Sequence, residues 1–388
     1  MDEPSRIQID RVVIENYRSI KQCDVELSDL TFLVGRNGSG KSSFFDALYF
    51  LSSALEKGVK AAVDDRNGLP TLLFRSVEFP CEMGFAIYFS IPNKMSGSFS
   101  LRIHAKSWTE FAPILEKCRV DSKDRLASAE YSVDDGVLSG SIPNLPPIPP
   151  DRLYLSTAAG FAEFRTPYEL LKNLVFSGYS TKEIHLLLLN RFPQGYNFPG
   201  HVQTLVEGDP DRRRLVEEYL RLMIPNLLHI GLQASGGRDW VAFVEKAGDT
   251  ENTFYVSQVS DGTIYAVEFL IDLFVKGLTN EKSVPVFIEE PGMCLHPWAA
   301  GVVRSAIMEA SRKRQVLITT HSPDLLDDPA IDPSMLRVVY RNAEGSHIET
   351  LGEGALAVLR GGLTTPGELF RRGALGSDNE PEFVSFVS

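Results

Sequence analysis

Apolar positions follow two rhythms along this chain, and the rhythm changes where the chemistry lies. Near the start, Ile7, Ile9, Val12 and Ile14 stand in one mixed run and Val25 with Leu27 in another, and both predict β-strands. A third run, Leu30-Thr31-Phe32-Leu33-Val34, is almost wholly apolar and ends at Gly35. Such a short run bounded by glycine predicts a strand covered on both faces. The spacing then switches. Phe44, Phe45, Leu48, Leu51 and Leu55 recur every three or four residues, which predicts a helix from about residue 41 to 56.

The middle, from about 60 to 205, is less regular. Strands are expected over 85–91 and 99–103. The proline-rich run Pro143-Asn144-Leu145-Pro146-Pro147-Ile148-Pro149-Pro150 reads as a stiff extended linker, because proline fixes φ and removes a donor. Helices are expected over 167–176, 181–190 and 211–223. The last third alternates: strands at 241–244 and 254–256, a helix at 263–276, a buried strand at 284–288, a helix at 298–312, a buried strand at 316–319 and a strand at 336–340. Apolar strands alternating with helices predict an α/β fold whose sheet is covered on both faces. Sustained heptads are lacking, which excludes a long coiled coil.

Composition narrows the class. Of 388 residues, 43% are hydrophobic and 23% charged, which excludes a mostly disordered chain. No apolar run approaches the ~20 residues of a membrane span, and the opening MDEPSRIQID is acidic, so a soluble cytoplasmic protein without membrane partners is expected. Cys23, Cys81, Cys118 and Cys294 are scattered, which argues against a disulfide framework or zinc site. The net charge of −12 argues against coating nucleic acid by bulk charge, yet leaves room for a local basic groove.

The candidate chemistry sits at strand ends. Gly35-Arg36-Asn37-Gly38-Ser39-Gly40-Lys41-Ser42 fits the phosphate-loop pattern G-x-x-x-x-G-K-[ST]. Its glycines let backbone N–H groups turn toward a phosphate, and the following helix adds its positive N-terminal end. This assigns Arg36 to Ser42, with Ser43 behind them, to a nucleotide's phosphates. Lys41 would reach the β- and γ-phosphates, and the Ser42 hydroxyl would hold Mg²⁺. The run Val284–Ile288 ends in Glu289-Glu290, a strand end expected beside that loop. Glu289 is assigned to the metal and Glu290 to accepting a proton from attacking water. His321, ending the run from Val316, is assigned either to the γ-phosphate or to that water.

These elements in this order resemble the ABC-type P-loop ATPases of the RecF, SMC and OLD group. Ile14-Glu15-Asn16-Tyr17-Arg18-Ser19-Ile20 resembles the group's opening strand and turn. Glu289-Glu290-Pro291 with Leu295-His296-Pro297 is similar to its Walker B and D-loop, and Thr320-His321-Ser322-Pro323 to its switch histidine. Val259-Ser260-Asp261-Gly262-Thr263 takes the signature position. The resemblance implies ATP as the nucleotide and an ATPase head with a mixed sheet flanked by helices. It would be split into residues 1–58 with the phosphate loop and 206–388 with the rest, around an inserted α+β or helical region, 59–205. It also implies a head-to-tail nucleotide-sandwich dimer, in which Ser260 and Gly262 contact the partner copy's ATP.

The chain departs from the group in three places. Glu289 stands where many relatives carry Asp, Ser260-Asp261-Gly262-Thr263 differs from Ser-Gly-Gly-Gln, and Gly292 stands where another Glu is common. Slow hydrolysis is the expected consequence. Only a short stretch follows His321, so a nuclease is expected on a separately encoded partner. The short form resembles ATPases of bacterial antiphage systems, with ATP-driven dimerisation regulating that effector. The alternatives are a RecF-like DNA-binding repair ATPase, whose groove would use Arg212-Arg213-Arg214, Arg312-Lys313-Arg314 and Arg371-Arg372, and a non-hydrolytic assembly scaffold.

Overall fold

The computed structural model describes residues 5–74, 78–123, 128–149, 152–177, 197–235, 238–279, 282–292, 295 and 297–380. Its centre is a six-stranded sheet in the order Val175–Ser177, Val286–Glu289, Val316–Thr320, Leu30–Val34, Leu336–Asn342, Gly345–Glu349. All neighbours are parallel except the last pair, which is antiparallel. Leu30–Val34 and Val316–Thr320 are buried at every position, as expected of strands covered on both faces.

A second, seven-stranded antiparallel sheet runs Ile20–Glu26, Gln8–Tyr17, Cys81–Ile91, Met95–Ala105, Phe111–Ser122, Ala129–Asp134, Val137–Gly140. It begins in the first segment of the chain and continues through the middle one. The helix Lys41–Lys57 lies between the two sheets. On one side Phe45 meets Phe287 edge-on, with ring centroids 5.4 Å apart. On the other, Phe50 stacks on Phe85 at 5.4 Å and tilts against Tyr17 at 5.9 Å. Burial on two sides explains why apolar residues spread beyond one stripe of this helix.

Several elements differ from expectation. The strands at 81–91 and 95–105 are longer than their apolar cores suggest, and those at 111–122, 129–134 and 137–140 were not expected. These strands alternate buried and exposed positions with many polar residues, a pattern that hides a half-solvated antiparallel strand. The helix expected over 167–176 is instead Ala162–Lys172, and Val175–Ser177 is the edge strand of the central sheet. The expected helix over 181–190 lies outside the described residues. The strand around 241–244 is the middle of a three-stranded antiparallel sheet, Leu227–Ser235, Arg238–Ala247, Thr250–Tyr255. Residues 145–149 carry no regular structure, as a proline-rich run dictates. Cys23, Cys81 and Cys118 hold free thiols, and burial pushes the Cys23 thiol up to about 12. No helix among the described residues is long and apolar enough to cross a membrane.

Candidate nucleotide site

The strand Val316–Thr320 lies between the phosphate-loop strand and the strand of the acidic pair. Glu289-Glu290 is therefore one strand further from the loop than expected. The long glutamate side chains span that distance. Ser42 Oγ hydrogen-bonds to Glu289 Oε1, and Lys41 Nζ stands 3.6 Å from Glu290 Oε1.

The loop conformation is set by glycine. Gly38 and Gly40 have φ of 77° and 116°, the left-handed half of the map that side chains disfavour. A Cβ on Gly40 would meet Ser346 Oγ at 2.3 Å. A Cβ on Gly35 would meet the Val339 carbonyl oxygen at 2.1 Å. Lys41 is buried and donates to the Gly35 and Arg36 carbonyls at 2.7 and 3.1 Å. Burial holds its pKa below the ordinary lysine value, and the nearby Glu290 pulls the other way. Arg36, Asn37, Gly38 and Ser42 are exposed, while Ser39 is buried.

The loop rests on a chain of hydroxyls. Ser346 Oγ donates to Ser19 Oγ at 2.8 Å, and Ser19 Oγ lies 2.9 Å from Ser43 Oγ. Ser346 N also donates to the Ser19 carbonyl at 2.7 Å. Asp46, on the same helix, accepts from Tyr17 OH and pairs with Arg18 at 3.0 Å and Arg66 at 3.1 Å. Tyr17 is fully buried, so it packs under the site rather than facing it. Arg18 and Asn16 adopt φ of 50° and 54°, which shapes the opening turn. None of Asp46, Arg66 and Ser346 was singled out from sequence, and Ser19 stood there only as part of the opening run. Their roles depend on approaches between remote stretches that no local pattern encodes.

Glu290 is the hub. Its φ is 47°, unusual for a residue with a side chain. Its N–H donates to the Thr319 carbonyl at 3.1 Å and to Thr319 Oγ1 at 3.3 Å. His321 Nδ1 lies 2.8 Å from Glu290 Oε1, and the His321 N–H donates to Oε2 at 3.1 Å.

Ser260 and Gly262 are placed elsewhere. Ser260 Oγ caps the helix Asp261–Phe274 by accepting from Thr263 N at 3.2 Å. Both residues line a surface cavity of about 570 Å³ with Met223, Leu295 and Trp298. The structure does not bring them to their own phosphate loop. Of the D-loop stretch, His296 lies outside the described residues.

Several members of the basic clusters are engaged within the chain. Arg212 donates to the Leu278 and Thr279 carbonyls, and Arg213 to Glu217 and the Ile230 carbonyl. Arg314 is fully buried. Arg371 pairs with Asp324 and Asp327 at 2.5 and 2.8 Å.

The donor set fits a magnesium nucleotide. It offers an exposed serine hydroxyl against a carboxylate, a buried lysine, left-handed glycines, and a buried Ser39 Oγ without a partner among the described residues. In fold and in the arrangement of this site the chain is similar to the ABC-type P-loop ATPase heads of the RecF/SMC group.

Residues 8–110 match the family described as "AAA ATPase domain", and residues 155–327 the family described as "AAA domain, putative AbiEii toxin, Type IV TA system". The chain is similar to the DNA replication and repair protein RecF of Vibrio campbellii, 30% identical over 111 residues, which is 28% of this chain and 30% of that protein. RecF of Trichlorobacter lovleyi is 29% identical over 167 residues, 42% of each chain. The aligned stretch thus spans less than half the length of these relatives. In fold it resembles the SMC head bound to the C-winged helix domain of ScpA, with TM-score 0.53 and 16% identity over 90% of this chain and 99% of that one. The Smc head with an extended coiled coil derived from Pyrococcus furiosus gives TM-score 0.51 and 15% identity over 92% and 100%.

Proposed function

We propose that this chain binds ATP with Mg²⁺, hydrolyses it slowly, and uses ATP-driven pairing of two copies to regulate a separately encoded effector. The carrying observation is the convergence of Lys41, Ser42, Glu289, Glu290 and His321 through direct side-chain contacts. In this reading the N–H groups of residues 36–43 wrap the phosphates and Lys41 offsets their charge. Ser42 and Glu289 hold the Mg²⁺, which supplies Lewis-acid charge. Glu290 takes a proton from the attacking water, and His321 steadies that water or the γ-phosphate. Ser260 and Gly262 complete the partner copy's site.

The test is phosphate release by the purified protein. Wild type releases phosphate, Lys41→Ala loses ATP binding, and Glu290→Gln keeps ATP without turnover. Release by Glu290→Gln at the wild-type rate would remove Glu290 from the chemistry. A wild type no faster than Glu290→Gln would leave an assembly scaffold.

The effector is proposed to be a nuclease and the setting antiphage defence. The similarity of residues 155–327 to a family described with a type IV TA system supports a two-component arrangement. ATP-dependent co-purification with the product of an adjacent gene tests it. A RecF-like role on DNA is the second reading, favoured by the similarity to RecF proteins. It predicts DNA retention on filters by the chain alone, falling steeply as salt rises. The internal engagement of Arg212, Arg213, Arg314 and Arg371 favours the first reading.

A further inference from the structure

The helix Asp261–Phe274 begins at the signature residues and is buried along almost all its length. One of its side chains reaches the acidic pair. Tyr265 is 6% exposed, and its hydroxyl donates to the Glu290 backbone carbonyl at 3.3 Å. We propose that Tyr265 is a positioning residue. It fixes the main chain of Glu290 and so ties the signature helix to the carboxylate that faces the attacking water. This rests on the proposed role of Glu290.

The argument starts from the backbone. A non-glycine residue at φ 47° is strained, and it persists only when its surroundings over-determine it. Two side chains act on the two peptides that flank the Glu290 Cα, from opposite elements. Thr319, on the neighbouring strand, receives the Glu290 N–H through its carbonyl and hydroxyl oxygens. Tyr265, on the signature helix, holds the carbonyl. The carboxylate in turn meets His321 and Lys41, so a rotation about the Glu290 backbone displaces both contacts.

The helix also gives the tyrosine a source of motion. Tyr265 lies five residues beyond Ser260, just over one helical turn from the exposed N-cap. Buried helices shift as rigid units, so a ligand pressing on Ser260 and Gly262 moves the Tyr265 hydroxyl with them. The device links what happens at the signature of a copy to the geometry of that same copy's Glu290.

Tyr265→Phe removes one hydroxyl and keeps the ring. Expected is a single-turnover ATP hydrolysis rate reduced about three- to tenfold, the effect of one lost hydrogen bond. ATP affinity, read with a fluorescent ATP analogue, and melting temperature stay at wild-type values. Thr319→Val, which removes the other side-chain hydrogen bond to the Glu290 main chain, gives the same split and serves if the first variant folds poorly. Unchanged turnover in both variants would overturn the proposal, as would a loss of ATP affinity in step with rate. Glu290→Gln is run alongside. If it hydrolyses normally, the reading of the site has failed, which is a separate result from a silent Tyr265→Phe.

Discussion

Glu290 holds His321 at two points: one carboxylate oxygen accepts the histidine N–H at 3.1 Å, and the other lies 2.8 Å from Nδ1. The second oxygen also faces Lys41 at 3.6 Å. A carboxylate bonded to its neighbouring histidine at two points and facing a lysine has little freedom left to lose.

His321→Ala removes the imidazole and leaves the backbone contact. Hydrolysis should fall about 10²-fold, in the range expected for a positioned proton-transfer or hydrogen-bonding group. ATP affinity should change by less than about threefold, because the phosphate loop is untouched. Equilibrium binding and phosphate release measured on one preparation decide it; equal losses in both would assign His321 to binding instead.

Gly40→Ala addresses the loop itself. The new Cβ would stand at φ 116° and 2.3 Å from Ser346 Oγ. The expected cost is about 1–3 kcal/mol of stability together with loss of ATP binding. Gly38→Ala is the control, since nothing lies within 4 Å of its Cβ and only backbone strain applies. Equal melting temperatures for the two variants would contradict this.

Arg314 separates the structural reading from the DNA reading. Its guanidinium donates to the carbonyls of Val284, Asp272, Leu273 and Lys276. Arg314→Leu leaves those oxygens unpaired and should cost about 3 kcal/mol or more in urea unfolding. A variant that melts like wild type yet loses DNA retention would place Arg314 in a nucleic-acid groove instead.

Glu116 sets a pH dependence. It is buried and accepts from Tyr131 OH, Tyr154 N and Leu155 N at 2.7, 2.6 and 2.7 Å. Burial pushes its pKa above the ordinary 4.5, so the folded chain holds this proton more tightly than the unfolded one. The stability it contributes is full below 4.5 and is lost as pH rises through the raised value. Glu116→Gln cannot titrate. The melting-temperature advantage of wild type over Glu116→Gln should therefore shrink as pH rises above 4.5, and a growing advantage would reverse the assignment.

Much of the central sheet was legible because its strands are short apolar runs ending in chemistry. Leu30–Val34 before the phosphate loop and Val316–Thr320 before His321 advertise both their burial and their ends. The seven-stranded sheet was poorly legible for the opposite reason: one face of strands such as Phe111–Ser122 meets solvent, so charged residues interrupt the signal. The loop, the acidic pair and the histidine were each visible as residues, but not the intervening strand that separates Glu289 from the loop. Tyr265 was invisible, because a buried tyrosine on an apolar helix reads as core until its hydroxyl is seen to reach Glu290.

The pairing of Leu30–Val34 with Val316–Thr320 and with Leu336–Val338 has a consequence for how the molecule is made. The strand that carries the phosphate loop leaves the ribosome early, and both neighbours that flank it emerge nearly 300 residues later. Until then the loop has no sheet to rest on, and Ser19 has no Ser346 to accept from. On the proposed reading, a chain that stops short of Ser346 is expected to lose ATP binding, and binding by successive truncations measures it.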